Sequence, residues 1–404
     1  MARDKAPSLL LLPSPPDPAS RASLSAAYKP ALTAALSHLK DASAAQTLIV
    51  AVACPILKGS GLRHKTLSWP HTQHLLAGLY AIISVVCANL DIPSYVDAGA
   101  HSVDTRVVLI DHERSRQYGQ DFRAAIESNN TAIVDLATFA SVYHPWKYIF
   151  NTDSEIAHEV QSLYLKMAEK HQKLLQDQLI TVKGGIALNV PSTQSTTSSP
   201  PTSLHKNVCL GGTFDHLHAG HKLLLTAGAY LLDIPESGSA NTCVYVIGIT
   251  GDELLKNKKN ADVLQPWIDR ARTVARFLSS ILELASQGWA GASAPTLQEG
   301  DGQLTTTLRG GAITIQCVRI HDAFGPTITQ EDLDCLVVSA ETRSGGDAVN
   351  HERSKLGWNS LEIFEVDVLD AKEISDVSTT TQDFSSKISS TSIRQQIAQA
   401  THQK

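Results

Sequence analysis

Gly211-Gly212-Thr213-Phe214-Asp215-His216-Leu217-His218-Ala219-Gly220-His221 decides how this chain is read. Val208-Cys209-Leu210, just before it, is a short apolar run of strand formers. Residues 222–232, just after it, have the apolar content and length of a helix. The stretch therefore predicts a strand, a glycine turn and a helix start. Gly211 and Gly212 let the backbone turn sharply and approach a ligand closely. The first turn of the next helix offers unpaired N–H groups and the positive end of its dipole, which suits a phosphate. His218 and His221 are three apart and share one helix face; Thr213 adds a hydroxyl donor, and Phe214 and Asp215 are expected with Gly211 and Gly212 among the substrate-binding residues. The bland alternative is a wet surface turn with two histidines. Eleven consecutive residues with matching flanks favour a phosphate cradle with two imidazoles aimed into it.

The rest of the composition is that of a globular protein in a reducing compartment. With 404 residues, 43% of them hydrophobic, the chain is long enough for two globular domains. A formal charge of −6 argues against a dedicated nucleic-acid binder. The six cysteines, at 54, 87, 209, 243, 317 and 335, include no Cys-x-x-Cys pair. They read as buried thiols in the cytoplasm or nucleus, with neither a disulfide framework nor a zinc site. The most apolar run, Leu75 to Leu90, is broken by Gly78, Ser84 and Asn89 and predicts a buried helix rather than a membrane span.

Segment by segment, residues 1–20 are rich in Pro, Ser and Leu and predict a loose end. An α/β domain is expected over 21–188. Its elements are a helix over 24–40, strands at 46–53, 106–110 and 131–136, helices at 71–90 and 122–128, and a long amphipathic helix over 154–179 capped by Ser154. No catalytic constellation is visible there. Residues 189–205 are a Ser/Thr/Pro linker by composition. The domain over 206–404 predicts strands at 207–211, 242–250, 312–320, 333–339 and 361–369. Helices follow the motif, span 266–286 and close the chain at 390–400, and a flexible Gly/Ser/Thr insertion occupies 287–311. Five strands with helices between them make a doubly wound parallel sheet, which binds ligands at the carboxyl ends of its strands.

Three further clusters fall at such ends. Lys256 and Lys258, after the second strand, can reach phosphates as mobile charges. Arg343, beside Gly345 and Gly346 after the fourth, offers a fork for two phosphate oxygens. Ser389, Ser390 and Thr391 start the last helix, where hydroxyls cap the helix or hold phosphate, and Arg394 lies one turn in.

His218-Ala219-Gly220-His221 and Ile388-Ser389-Ser390-Thr391-Ser392-Ile393-Arg394 are the two signatures of the nucleotidylyltransferase superfamily. Further blocks narrow the resemblance: 254–258, 264–266 with Arg270, 322–326, and Leu336 through Gly346. From about 205 to 400 the chain resembles the eukaryotic-type phosphopantetheine adenylyltransferases, in a monofunctional form without the dephospho-coenzyme A kinase domain. The match of 1–190 to the leader found on eukaryotic forms is much weaker. The resemblance implies a Rossmann-like nucleotidylyltransferase fold. It also implies transfer of AMP from ATP to 4′-phosphopantetheine, giving dephospho-coenzyme A and pyrophosphate. Thr213 would orient the attacking phosphate. His218, His221 and Lys256, or Lys258, would stabilise phosphate charge. Arg343, Ser389, Ser390, Thr391 and Arg394 would hold the triphosphate. Mg²⁺ would arrive with ATP, with no all-protein metal cage. Expected partners are the two substrates and the kinase that consumes the product, with no nucleic acid or membrane. The rivals are a nicotinamide-mononucleotide or cytidylyl transferase, a class I aminoacyl-tRNA synthetase, and a non-catalytic scaffold of coenzyme A enzymes. The synthetase reading lacks a Lys-Met-Ser-Lys-Ser-like loop. The linker composition further predicts that the halves separate, with the chemistry in 205–404.

Overall fold

The computed structural model describes residues 6–59, 63–93, 95–116, 129–186, 200–236, 238–284, 297–369 and 390–402. The expected helix at 122–128, most of the linker, the first part of the insertion and Ser389 lie outside the described residues. Two mixed α/β layers each carry a sheet, and one hydrophobic core runs through both.

The first sheet has six parallel strands in the order β4-β3-β2-β1-β5-β6. They are β1 (Ser8–Leu12), β2 (Gln46–Cys54), β3 (Val103–Asp111), β4 (Val134–Asp135), β5 (Ile149–Thr152) and β6 (Leu179–Val182). The loose end expected over 1–20 is corrected. Leu9, Leu10, Leu11 and Leu12 form a fully buried strand paired with both β2 and β5. A strand covered on both faces reads as a continuous apolar run, so four leucines suffice. The long helix expected over 154–179 is corrected too. α4 (Glu155–Ala168) starts at its Ser154 cap and stops before a polar stretch, and β6 follows. There Gln172 leaves helical duty and accepts from the His144 backbone N–H at 2.9 Å. α1 (Arg21–Leu39) and the short α3 (Leu136–Ala140) complete this half. α2 (Trp69–Asn89) is long and apolar enough to cross a membrane, yet 72% of its apolar window is buried inside the molecule. An all-round apolar helix packed between two layers is a core helix.

The second sheet runs β13-β12-β7-β8-β11-β10-β9. Its parallel part, β7 (Asn207–Gly212), β8 (Cys243–Thr250), β11 (Ile313–Ile320), β12 (Cys335–Ser339) and β13 (Glu362–Val366), matches the five expected strands. Helices α5 (Ala219–Ala229), α6 (Trp267–Leu282), α7 (Arg343–Lys355) and α8 (Ser390–His402) surround it. The described part of the expected insertion is not a loose loop. β9 (Gln298–Gly300) and β10 (Gln303–Leu308) form an antiparallel extension paired with β11. Leu304, Thr306 and Leu308 alternate inward, the period of a half-covered strand. Strand order reverses between β7 and β12, and the crevice at their carboxyl ends is where such a fold binds ligands.

Candidate active site

Gly211 and Gly212, expected to make the turn, are instead the last residues of β7, paired with β8, and 213–217 turn the chain into α5. Phe214 and His216 both take positive φ, 53° and 45°, so the chain doubles back tightly before the helix. Gly212 belongs here because a Cβ would sit 3.0 Å from the Phe214 ring. Phe214 is buried and its ring lies 5.1 Å from that of His221. His218 caps α5 with extended backbone and His221 sits in its first turn. The two imidazoles stack at 3.9 Å between centroids and 25° between planes.

Both rings are neutral by environment. Burial, then His221, Lys222 and His216, holds His218 well below the ordinary imidazole range. Burial, then Arg270, lowers His221 to about 3. Ser390 Oγ donates to the Asp215 carbonyl at 2.9 Å and lies 3.3 Å from His218 Nε2, whose proton it can accept. His218 Nδ1 and His221 Nδ1 are buried without a protein partner. The two Nδ1 atoms themselves are closed off, while the helix N-terminus beside the rings suits an anionic ligand.

That ligand space is a cavity of about 730 Å³ at the crevice. Of the expected residues, Gly211, Gly212, Thr213, Phe214, His218, His221, Lys258, Ser390, Thr391 and Arg394 line it. Lys256 is exposed and off its lining. Arg343 also stands away, 73% exposed, with Nε 2.8 Å from Glu365. The fork expected of Arg394 is spent on the protein. It donates to Asp215 Oδ2 at 2.7 Å, to the Lys259 carbonyl at 3.1 Å and to Thr391 Oγ1 at 3.2 Å. Asp215 likewise anchors the turn rather than a ligand. It is fully buried, and its Oδ1 accepts from Gln265 N–H at 3.0 Å.

The structure adds residues that the sequence did not single out as parts of the site. Ser339 at the end of β12, Glu341 and Thr342 just beyond it, and 366–369 at and beyond the end of β13 line the cavity. Arg270 is fully buried and donates to the carbonyls of Thr213, Thr250 and Gln265 and to Asp252. α6 carries three arginines, Arg270, Arg272 and Arg276, so nothing local set Arg270 apart; its carbonyl partners lie 5, 20 and 57 residues away.

A tight turn, a helix N-terminus and two histidines at a switch point define a phosphate-handling transferase of nucleotides. The comparisons agree. Residues 209–396 match the family model described as cytidylyltransferase-like, and 1–188 match a domain of unknown function. An uncharacterized protein of Schizosaccharomyces pombe is 37% identical over 47% of this chain and 47% of its own length. The phosphopantetheine adenylyltransferase of Saccharomyces cerevisiae is 32% identical over 46% of each chain. That of Pyrococcus furiosus is 30% identical over 41% of this chain and 79% of its own. The chain belongs to the nucleotidylyltransferase family that these adenylyltransferases share. The matched stretch spans about half the length of the two yeast relatives.

Proposed function

We propose that the chain transfers AMP from ATP to 4′-phosphopantetheine, releasing pyrophosphate and forming dephospho-coenzyme A. The observation that carries this reading is the stacked pair His218 and His221 at the first turn of α5, lining a cavity of about 730 Å³. Phosphopantetheine adenylyltransferases among the similar proteins support the choice of acceptor.

A phosphate oxygen of phosphopantetheine, already ionised at neutral pH, attacks the α-phosphorus. The bond from that phosphorus to the bridging oxygen breaks, and pyrophosphate leaves with the electron pair. No strong base is needed, so rate comes from positioning and charge stabilisation. In this reading Thr213 orients the attacking phosphate. The first turn of α5 and the two histidines face the α-phosphate. Lys258, Ser390 and Thr391 hold the distal phosphates. Arg394, tied to Asp215, holds α8 in place. ATP would bring Mg²⁺ with it, which would screen phosphate charge. Among the described residues Glu341 and Asp367 are the carboxylates lining the cavity, and no three-ligand cluster stands there. That donor set fits an ion that keeps most of its waters. The proposed setting is the cytoplasm or nucleus, beside a kinase that consumes the product.

Pyrophosphate release measured with ATP and, side by side, 4′-phosphopantetheine and nicotinamide mononucleotide tests this. Turnover with phosphopantetheine alone is expected. Turnover with the mononucleotide alone, or with CTP in place of ATP, would overturn it.

A further inference from the structure

The helix that carries both histidines is gripped from the other half of the chain. Lys222 follows His221 and therefore points about 100° away around the helix, off the cavity side. It is 1% exposed, although lysine is among the residues least often buried. Its Nζ donates to Asp104 Oδ1 at 2.5 Å and to the Thr105 carbonyl at 3.1 Å, both on β3. Asp104 is itself fixed by Arg106, whose Nε and Nη2 lie 3.0 and 2.6 Å from Oδ2. Arg106 in turn rests over the Phe277 ring of α6. The turn before the helix is held from the same side. Val96 N–H donates to the Leu217 carbonyl at 3.0 Å, and the Tyr95 ring meets His216 edge-on at 5.6 Å. At the far end of α5, Tyr230 Oη accepts from Leu109 N–H at 2.9 Å.

We infer that the first half of the chain works as a buttress for the reaction, and that Lys222 is a positioning residue that sets the rotation and depth of α5. This rests on the transferase reading above. Rotating the helix to a new histidine aim breaks the Asp104 and Thr105 bonds together. The first half thereby determines where His218 and His221 point, without touching substrate. Burial pushes the Asp104 carboxyl up, but Arg106 and Lys222 outweigh it and hold it at about 2, so the carboxylate stays charged across the working range.

Four variants of the full chain, assayed with ATP and phosphopantetheine well below their melting temperatures, test this. In Lys222→Met, Asp104 keeps Arg106, so no lone charge is buried. Its kcat is expected to fall about 10- to 100-fold, the cost of slight misplacement of catalytic groups, with KM for both substrates within threefold. Tyr95→Ala, on a surface loop and safe for folding, is expected to lower kcat about threefold to tenfold by freeing the turn. Tyr230→Phe removes a cross-half contact remote from the histidines; it should lower Tm yet keep kcat within twofold. His221→Ala separates the two ideas. Full turnover there would sink the transferase reading itself. With His221→Ala inactive, wild-type kcat in Lys222→Met and Tyr95→Ala would overturn the buttress. Equal loss of kcat in Tyr230→Phe would also overturn it, by showing a general loosening. Should Lys222→Met fail to fold, Tyr95→Ala decides alone.

Discussion

At the level of single residues, the site depends on two imidazoles kept neutral by burial. His221→Ala is expected to cost about 10²–10³ in kcat, or roughly 3–4 kcal/mol, the usual loss for one preorganised group facing developing charge. Steady-state kinetics on a variant with unchanged circular dichroism checks it, and activity within threefold of wild type contradicts it. The same burial has a consequence for stability. A histidine lowered in the folded state binds fewer protons there than in the unfolded chain between its folded value and about 6.5. Stability therefore rises with pH across that window and falls as pH drops through it. His221 and His144, both lowered by burial to about 3, contribute down to that value. Urea unfolding of the protein at pH 5 and pH 7 should show lower stability at pH 5, by a smaller margin in His221→Asn. A triphosphate reverses the local balance, because its negative charge favours the protonated ring. ATP binding near pH 6 should take up protons. Calorimetry in buffers of different ionisation enthalpy reads this directly, and a binding heat independent of buffer would count against histidine contact.

Elements hold the site through pairs that are distant in sequence. α8 is docked on the motif turn by Arg394 and Asp215, whose side chains are 3% and 0% exposed. Arg394→Ala strands the Asp215 carboxylate in the interior. Loss of one partner of such a pair costs about 3–5 kcal/mol. Chemical denaturation should show a loss of that size, and Arg394→Ala combined with Asp215→Ala should recover part of it. Arg394→Lys keeps the charge but cannot reach Asp215, the Lys259 carbonyl and Thr391 together, because a lysine has no planar fork. It should weaken ATP binding by displacing Ser390 and Thr391, with Tm falling in parallel. Weaker ATP binding at unchanged Tm would return Arg394 to direct phosphate contact.

Across the whole molecule, the halves share more than a tether. Arg309, at the end of β10, is buried and donates to the carbonyls of Thr131 and Ala132. Asn130 bonds Asp233, and the Trp69 indole donates to the Glu365 carbonyl. Cutting at the linker would bare Lys222, Arg309 and one apolar face of α5. The expectation of separable halves therefore gives way to its opposite. Residues 205–404 alone should aggregate or bind a hydrophobic dye, without a cooperative transition and without turnover. A soluble fragment with wild-type kcat would show that these contacts are dispensable.

What the sequence determined by itself was whatever chemistry lies close along the chain. The turn into α5, His218 and His221, the Ser390 and Thr391 helix start and the five parallel strands were legible, because a turn, a helix start and a strand are short-range events. Short apolar runs of strand formers also place β7 to β8 and β11 to β13 without any tertiary information. Tertiary structure alone decided the partners. Asp104 and Lys222 are 118 residues apart, and Asp215 and Arg394 are 179 apart. Nothing local marks such pairs, since the same side chains would be ordinary surface charges if the fold left them wet. The four leucines near the start carried the same ambiguity. A run of four is a loose end or a central strand according to whether two neighbours close over it, and here β2 and β5 do.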